Sequence, residues 1–463
     1  MADTKAKHGG LSAKARAFFF LAAFPCSFAA VPAALAGEAG LYSSLYPYYA
    51  EVCAVSQILK KPGFGADIRG EPGGHAVLYL NGVCRKKDAH YPVLEMCDPA
   101  TPPDQQGVGI SVNSHFKNAN WAAIPGRDFL FGGGLAANAR VTREAYRQTQ
   151  ARAKAMGIYD GVEFHDEVFD DMPPGWSRAD YKYEVSIGTD YAINFARDRY
   201  CARVPLDREK MTAVVDYLNG LNDIYKSGKT EYVWSVVQDN CSHITHNALA
   251  VAGVWDSDPT GRFIAFAAFD FPVPKNEFIN QLERTNDLPL DDPLKLYADP
   301  MTRQSLMRED WLPTEPGALA EIVRARPNND VYDTDVELIF YDWPVIEPYH
   351  RRFDAIAADP RYFDLRANLA YFAKLYESIL ADKKPLAWYL KQAGERGPGK
   401  QPSLLASTAS RREFSAFYAR YYRYLAQESA RVNSELAALP PVPAAGNSAT
   451  GEVSASDARR MRQ

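Results

Sequence analysis

Gly73-Gly74-His75-Ala76-Val77-Leu78-Tyr79-Leu80-Asn81-Gly82 sets six consecutive strand-forming residues between a glycine pair and an Asn-Gly turn. Its apolar residues run on without alternation, which marks a buried strand, and Asn-Gly is a tight-turn signal at its end. His75 stands at the head of that strand. Further strands are predicted at Tyr91–Met96, Val108–Asn113 and Asp128–Phe131, separated by Pro- and Gly-containing turns. Together they predict a small, mostly antiparallel sheet.

Downstream, residues 142–156 have helical composition, residues 157–180 read as an acidic insertion loop, and Tyr181–Ile187 is strand-like. Met211, Val214, Val215, Leu218, Leu221 and Ile224 recur at helical spacing, opened by Asp207 and closed near Gly228. The strand-like run Tyr232–Val237 then leads into Asp239-Asn240-Cys241-Ser242-His243-Ile244-Thr245-His246-Asn247-Ala248-Leu249. Asp239 and Asn240 are favoured N-cap residues, which puts Cys241 in the first turn of a helix. The expected fold class is α+β, a small antiparallel sheet packed on helices. The expected division is a catalytic domain at 37–290, a helical C-terminal region at 291–440 and a disordered tail at 441–463.

At the start, Lys5, Lys7, Lys14 and Arg16 precede an apolar run, Ala17–Leu35, that ends in Ala34-Leu35-Ala36. Charge, apolar stretch and A-x-A in that order predict a signal peptide over 1–36 and an exported, periplasmic or envelope-associated protein. Loss of that segment leaves a net charge of about −8, which gives no overall attraction for nucleic acid. No later run of about 18 apolar residues could span a bilayer, so any membrane contact is expected to be peripheral. Export also changes how the cysteines are read, because oxidising compartments pair them. Cys53, Cys84, Cys97, Cys201 and Cys241 follow the predicted cleavage point, and an odd number leaves at least one outside intramolecular bridges.

A helix N-terminus lowers a thiol's pKa through its partial positive charge and open N–H donors, and this is the setting predicted for Cys241. On a helical wheel Cys241 shares a face with Ile244, Ala248 and Val251, while His243 and His246 point elsewhere. A base must therefore come from another part of the fold, and His75 at its strand head is the candidate. His90 and Asn113 are candidates for the group that orients it. Asp239 and Asn240 belong to the helix cap and the oxyanion neighbourhood. The string C-x-H-x-x-H at 241–246 fits no zinc spacing, and neither a metal nor a cofactor motif is read. The C-terminal aromatics Phe414, Phe417, Tyr421 and Tyr424 are expected in a core.

Gly74-His75-Ala76-Val77-Leu78-Tyr79 followed by Asp239-Asn240-Cys241 resembles the permuted papain-like arrangement, in which the histidine strand precedes the cysteine helix. With Leu206–Met211 and Tyr232–Trp234 added, residues 70–255 are similar to the periplasmic domain of the Lnb-type lipoprotein N-acylation transacylases. The resemblance implies a papain-like fold and acyl chemistry at Cys241, with His75 as base and an envelope lipid, lipoprotein or peptide as substrate. Two other functions fit the same residues. One is a non-catalytic envelope scaffold or binding module that keeps the fold, and the other is an amidase acting on peptidoglycan peptides.

Overall fold

The computed structural model describes residues 40–63, 66, 74–102, 105–235, 239–255, 274–335, 349–394, 405 and 407–441. The expected signal peptide at 1–36, and the expected tail from residue 442 on, lie outside them. The described chain is mixed α+β, an antiparallel sheet packed against helices. Its strands are β1 (Tyr49–Val55), β2 (Leu59–Lys60), β3 (His75–Asn81), β4 (Val83–Arg85), β5 (Leu94–Met96), β6 (Gly107–Ser111), β7 (Ala122–Pro125), β8 (Arg199–Pro205), β9 (Leu319–Val323) and β10 (Tyr332–Asp333). Six of them form the main sheet in the order β7-β6-β3-β1-β8-β9, every neighbour antiparallel. Two small ladders, β4–β5 and β2–β10, flank it.

β3 is the strand that its sequence predicts: all seven residues are buried, and Gly82 turns the chain at φ +80°. β1 is equally buried and β8 is buried at every residue but the half-buried Arg203, although they carry Glu51, Arg199 and Arg203. The pleat explains this, since alternate residues of a strand face opposite sides of the sheet. Glu51, Arg203 and Glu321 lie on one face, where Arg127 joins them: Arg203 Nε donates to Glu51 at 2.7 Å, Arg127 Nε at 3.0 Å, and Arg199 Nη1 donates to Glu321 at 2.6 Å. Cys53 on this face is in register with Cys201, and the two form a disulfide. On the opposite face Ala54, Tyr200, Ala202 and Ala320 pack against Phe278, Ile279 and Leu282 of the Pro274–Asn286 helix and Phe353 of the Tyr349–Ala358 helix.

Two predicted strands are helices. Asp128–Phe131 lies in the Arg127–Gly132 helix, which stops where Gly133 adopts φ +62°. Tyr181–Ile187 falls almost wholly in the Arg178–Ser186 helix, where the Ser177 side chain caps by accepting from Asp180 N–H. Its alternating Tyr181, Tyr183 and Val185 imitate a strand, but the helix buries the polar Glu184 and Ser186 beside them as well. The Arg143–Ala155 and Arg208–Tyr225 helices stand where the sequence predicts them, the second capped by Asp207. The 291–440 region, expected to be helical, also supplies β9 to the main sheet and β10 to a small one, so the sheet crosses the expected boundary at 290. Its helices enclose a second core around Phe372, Tyr376, Phe414, Phe417 and Tyr421, which places the C-terminal aromatics inside. Among the described residues no helix is long and apolar enough to cross a membrane.

Candidate active site

The Cys241–Val251 helix begins where expected. Asn240 is its N-cap, the side-chain oxygen accepting from Ser242 N–H at 2.8 Å and His243 N–H at 3.2 Å. Cys241 therefore occupies the first helical turn, in the partial positive field of the helix N-terminus. Ile244, Ala248 and Leu249 bury the helix against neighbours that include β3 and the Arg208–Tyr225 helix.

The β3–β6 ladder pairs residues from Asn81 back to Leu78. Ala76 lies beyond it, and its backbone N–H donates instead to the Cys241 sulfur at 3.4 Å. The thiol thus sits where the two strands part, one residue from His75. An N–H aimed at sulfur stabilises the thiolate over the thiol.

His75 pairs with Val55 of β1 and is 4 % exposed. Burial, and then the Arg197 guanidinium, drive its pKa down to about 3, so the imidazole is neutral at physiological pH. Among the described residues its Nε2 has no hydrogen-bond partner. Pleat alternation sends the ring to the side shared with Val77 and Tyr79, so the tie between His75 and the sulfur runs through the backbone of Ala76.

The other expected residues are placed as follows. His90 is exposed on the β4–β5 connection, whereas Cys241 and His75 are buried. The register of β3 with β6, continued by three residues, would bring Asn113 level with His75. β6 ends at Ser111, however, and Asn113 gives its amide to Asp190 Oδ1 at 2.9 Å and accepts from His115 N–H at 3.1 Å. His246 Nδ1 lies 2.6 Å from Glu277 Oε2, a partner on the Pro274–Asn286 helix.

Asp239, read as a cap residue, leaves the cap to Asn240 and carries a perturbed carboxyl. Burial pushes it up to about 6, against a hydrogen bond from Asn120 that favours the charged form. Four residues outside the expected site set complete the surroundings. Tyr232, fully buried, donates its OH to the Asp239 carbonyl at 3.4 Å, and its phenol is held neutral by burial and by the nearby charges of Asp239 and Cys241. Asn120 is 1 % exposed, and its Oδ1 has no partner among the described residues. Asp190 accepts from Ser111, Asn113 and Tyr159, and Arg197 is buried close enough to depress His75. The sequence does carry a signal for Asn120, a polar residue directly before the apolar run Trp121–Ile124.

Cys53–Cys201 and Cys84–Cys97 are disulfides, and Cys241 belongs to neither. Two disulfides fit a protein of an extracellular or periplasmic compartment. Among the described residues, the one cluster of His, Cys, Asp or Glu tight enough for a metal is Glu51 with Cys53 and Cys201, and its two sulfurs are already bonded to each other. Comparison of the chain with protein-family models, curated proteins and solved structures finds no match.

Proposed function

We propose that this chain is an exported, cysteine-dependent acyl hydrolase or acyltransferase of the bacterial envelope, of the permuted papain-like, Lnb-type kind, with a cleaved signal peptide. The observation that carries the reading is the hydrogen bond from Ala76 N–H to the Cys241 sulfur. It joins a capped-helix thiol, kept out of both disulfides, to the residue that follows His75. In this reading His75 takes the thiol proton once substrate draws the imidazole to the sulfur, a contact that many enzymes complete only in the substrate complex. The sulfur bonds to the acyl carbon of an ester, amide or thioester, and water or an amine then releases the acyl group. The imidazole is neutral, as a base must be, and a thiolate formed beside it would raise its pKa from about 3. Acyl substrates on envelope lipids or lipoproteins fit the export reading.

Iodoacetamide labelling of the folded protein across pH tests this, with the labelled cysteine identified by mass spectrometry. Cys241 is expected to react with an apparent pKa well below 8.5, raised in His75→Ala. A second reading, a non-catalytic envelope scaffold on the same fold, draws on the burial of Cys241, 5 % exposed. An inert Cys241 in the folded protein would favour that scaffold.

A further inference from the structure

Along a strand the backbone N–H groups point alternately to the two neighbouring strands, so Ala76 points the same way as Leu78 and Leu80, which lie in the β6 ladder. Carried on by two residues, that register would give Ala76 the backbone of Val112. β6 ends at Ser111 instead. The Ser111 hydroxyl and the Asn113 amide, on either side of Val112, both bond the buried carboxylate of Asp190, at 2.7 and 2.9 Å, and this anchor takes the chain out of the ladder. In place of a β6 carbonyl, the Ala76 N–H meets the Cys241 sulfur at 3.4 Å. The Cys241 helix brings its N-terminal partial charge to the same atom, its start fixed by the Asn240 cap. Once the sulfur is bonded to an acyl carbon, the acyl oxygen lies only two bonds from it. A donor that already reaches the sulfur therefore reaches that oxygen after a small turn. Ala76 is held on its other side by the ladder to β1, where it pairs with Ala54, so the donor is fixed in advance, as stabilisation of a developing oxyanion requires.

We propose that the backbone N–H of Ala76 is an oxyanion donor, which holds the sulfur in the resting site and passes to the acyl oxygen as the carbon–sulfur bond forms. The proposal rests on Cys241 being the nucleophile. As the sulfur bonds to the acyl carbon, the thiol proton goes to His75 and the carbonyl electron pair moves to oxygen, which accepts the Ala76 N–H. The pair returns when the bond from the acyl carbon to the leaving oxygen or nitrogen breaks, and that atom takes the His75 proton. In the second half water or an amine adds to the same carbon, its proton goes to His75, and the oxygen again accepts from Ala76. The carbon–sulfur bond then breaks, the sulfur recovers the proton, and the N–H returns to it. Asp190 acts as a positioning residue, because the anchor it gives Ser111 and Asn113 keeps β6 away from this donor.

Replacing Ala76 by lactic acid turns its N–H into an ester oxygen and keeps the methyl group, and because this N–H points away from β1 the ladder with β1 keeps its donors. The variant is expected to hydrolyse 4-nitrophenyl octanoate about 100-fold more slowly, the size of a lost oxyanion donor. Alkylation of Cys241 by iodoacetamide at pH 9.5, which builds no oxyanion, should fall far less. A second measurement needs no variant. Octanal adds to an active thiol as a hemithioacetal whose oxygen stands where the oxyanion forms, and in the wild type the Ala76 amide proton is expected to shift downfield in the NMR spectrum as the adduct forms. Equal losses of hydrolysis and alkylation, or an adduct that leaves the Ala76 amide unmoved, would overturn the donor role and leave the thiol reading intact. If Cys241→Ala still turned over the ester, or the wild type neither turned it over nor bound octanal, the thiol reading would fall and the donor with it.

Discussion

His75 and Asp239 carry opposite electrostatic problems. For His75 the neutral form is favoured: its folded pKa is about 3 against 6.5 for the unstrained side chain. Above pH 6.5 neither folded nor unfolded chain protonates it, so its contribution to stability is fully kept. As pH falls from 6.5 towards 3 the unfolded chain binds a proton that the folded chain refuses, and stability drops by about 1.4 kcal/mol per pH unit. His75→Gln should therefore flatten the fall of urea-unfolding free energy between pH 6.5 and 4.5 by roughly 2 kcal/mol in total. An unchanged slope would mean that the imidazole is hydrated and free to charge. Asp239 has the reverse sign, with a folded value near 6 against 3.8. Its contribution is present below pH 3.8 and lost as pH rises through 6. Asp239→Asn should accordingly stabilise the protein at pH 7.5 by roughly 1–2 kcal/mol and change little at pH 3.5. Equal effects at both pH values would count against a buried carboxyl.

The Cys241 helix depends on one cap. Asn240 satisfies two N–H groups at the turn that carries the thiol. Asn240→Ala should cost about 1–2 kcal/mol in thermal or urea unfolding and slow iodoacetamide labelling of Cys241, whereas Asn240→Ser should keep most of both. Equal behaviour of the two variants would show that the cap is dispensable. This element was legible in the sequence because capping is local: Asp239-Asn240 stand directly before an apolar helical pattern. β3 was legible because its apolar run is uninterrupted. The central strands β1 and β8 were not, since Glu51, Arg199 and Arg203 make them read as surface while in the fold these charges pair among themselves and with Arg127 and Glu321. The site shows the same limit. Cys241 and His75 announce themselves by motif, but Asn120, Tyr232 and Asp190 matter only through partners distant in sequence.

The same ion network ties the C-terminal region to the sheet that carries His75. β9 extends β8 over five pairs, from Arg199↔Val323 to Arg203↔Leu319, and brings Glu321 among Arg127, Arg199 and Arg203. These three cations outweigh the burial that would otherwise protonate Glu321, and its pKa lies far below the ordinary carboxylate range. Phe353 from the same region covers Tyr200 and Phe278 on the opposite face, with rings 5.9 and 6.3 Å apart. A fragment ending at residue 290 would leave Arg127, Arg199 and Arg203 with Glu51 alone, open the β8 edge to pairing with other chains, and expose the apolar face around Tyr200. Fragment 41–290 is therefore expected to aggregate or to melt without cooperativity, whereas 41–441 melts cooperatively. Glu321→Gln in the longer chain should cost about 3 kcal/mol by urea unfolding, because removing it strands the buried charge of Arg199. If 41–290 melted in a single sharp transition and Glu321→Gln cost less than about 1 kcal/mol, β9 would be an accessory strand and residues 37–290 a self-sufficient domain. The expected pair of results would instead make the C-terminal helices part of the frame that holds His75 beside Cys241.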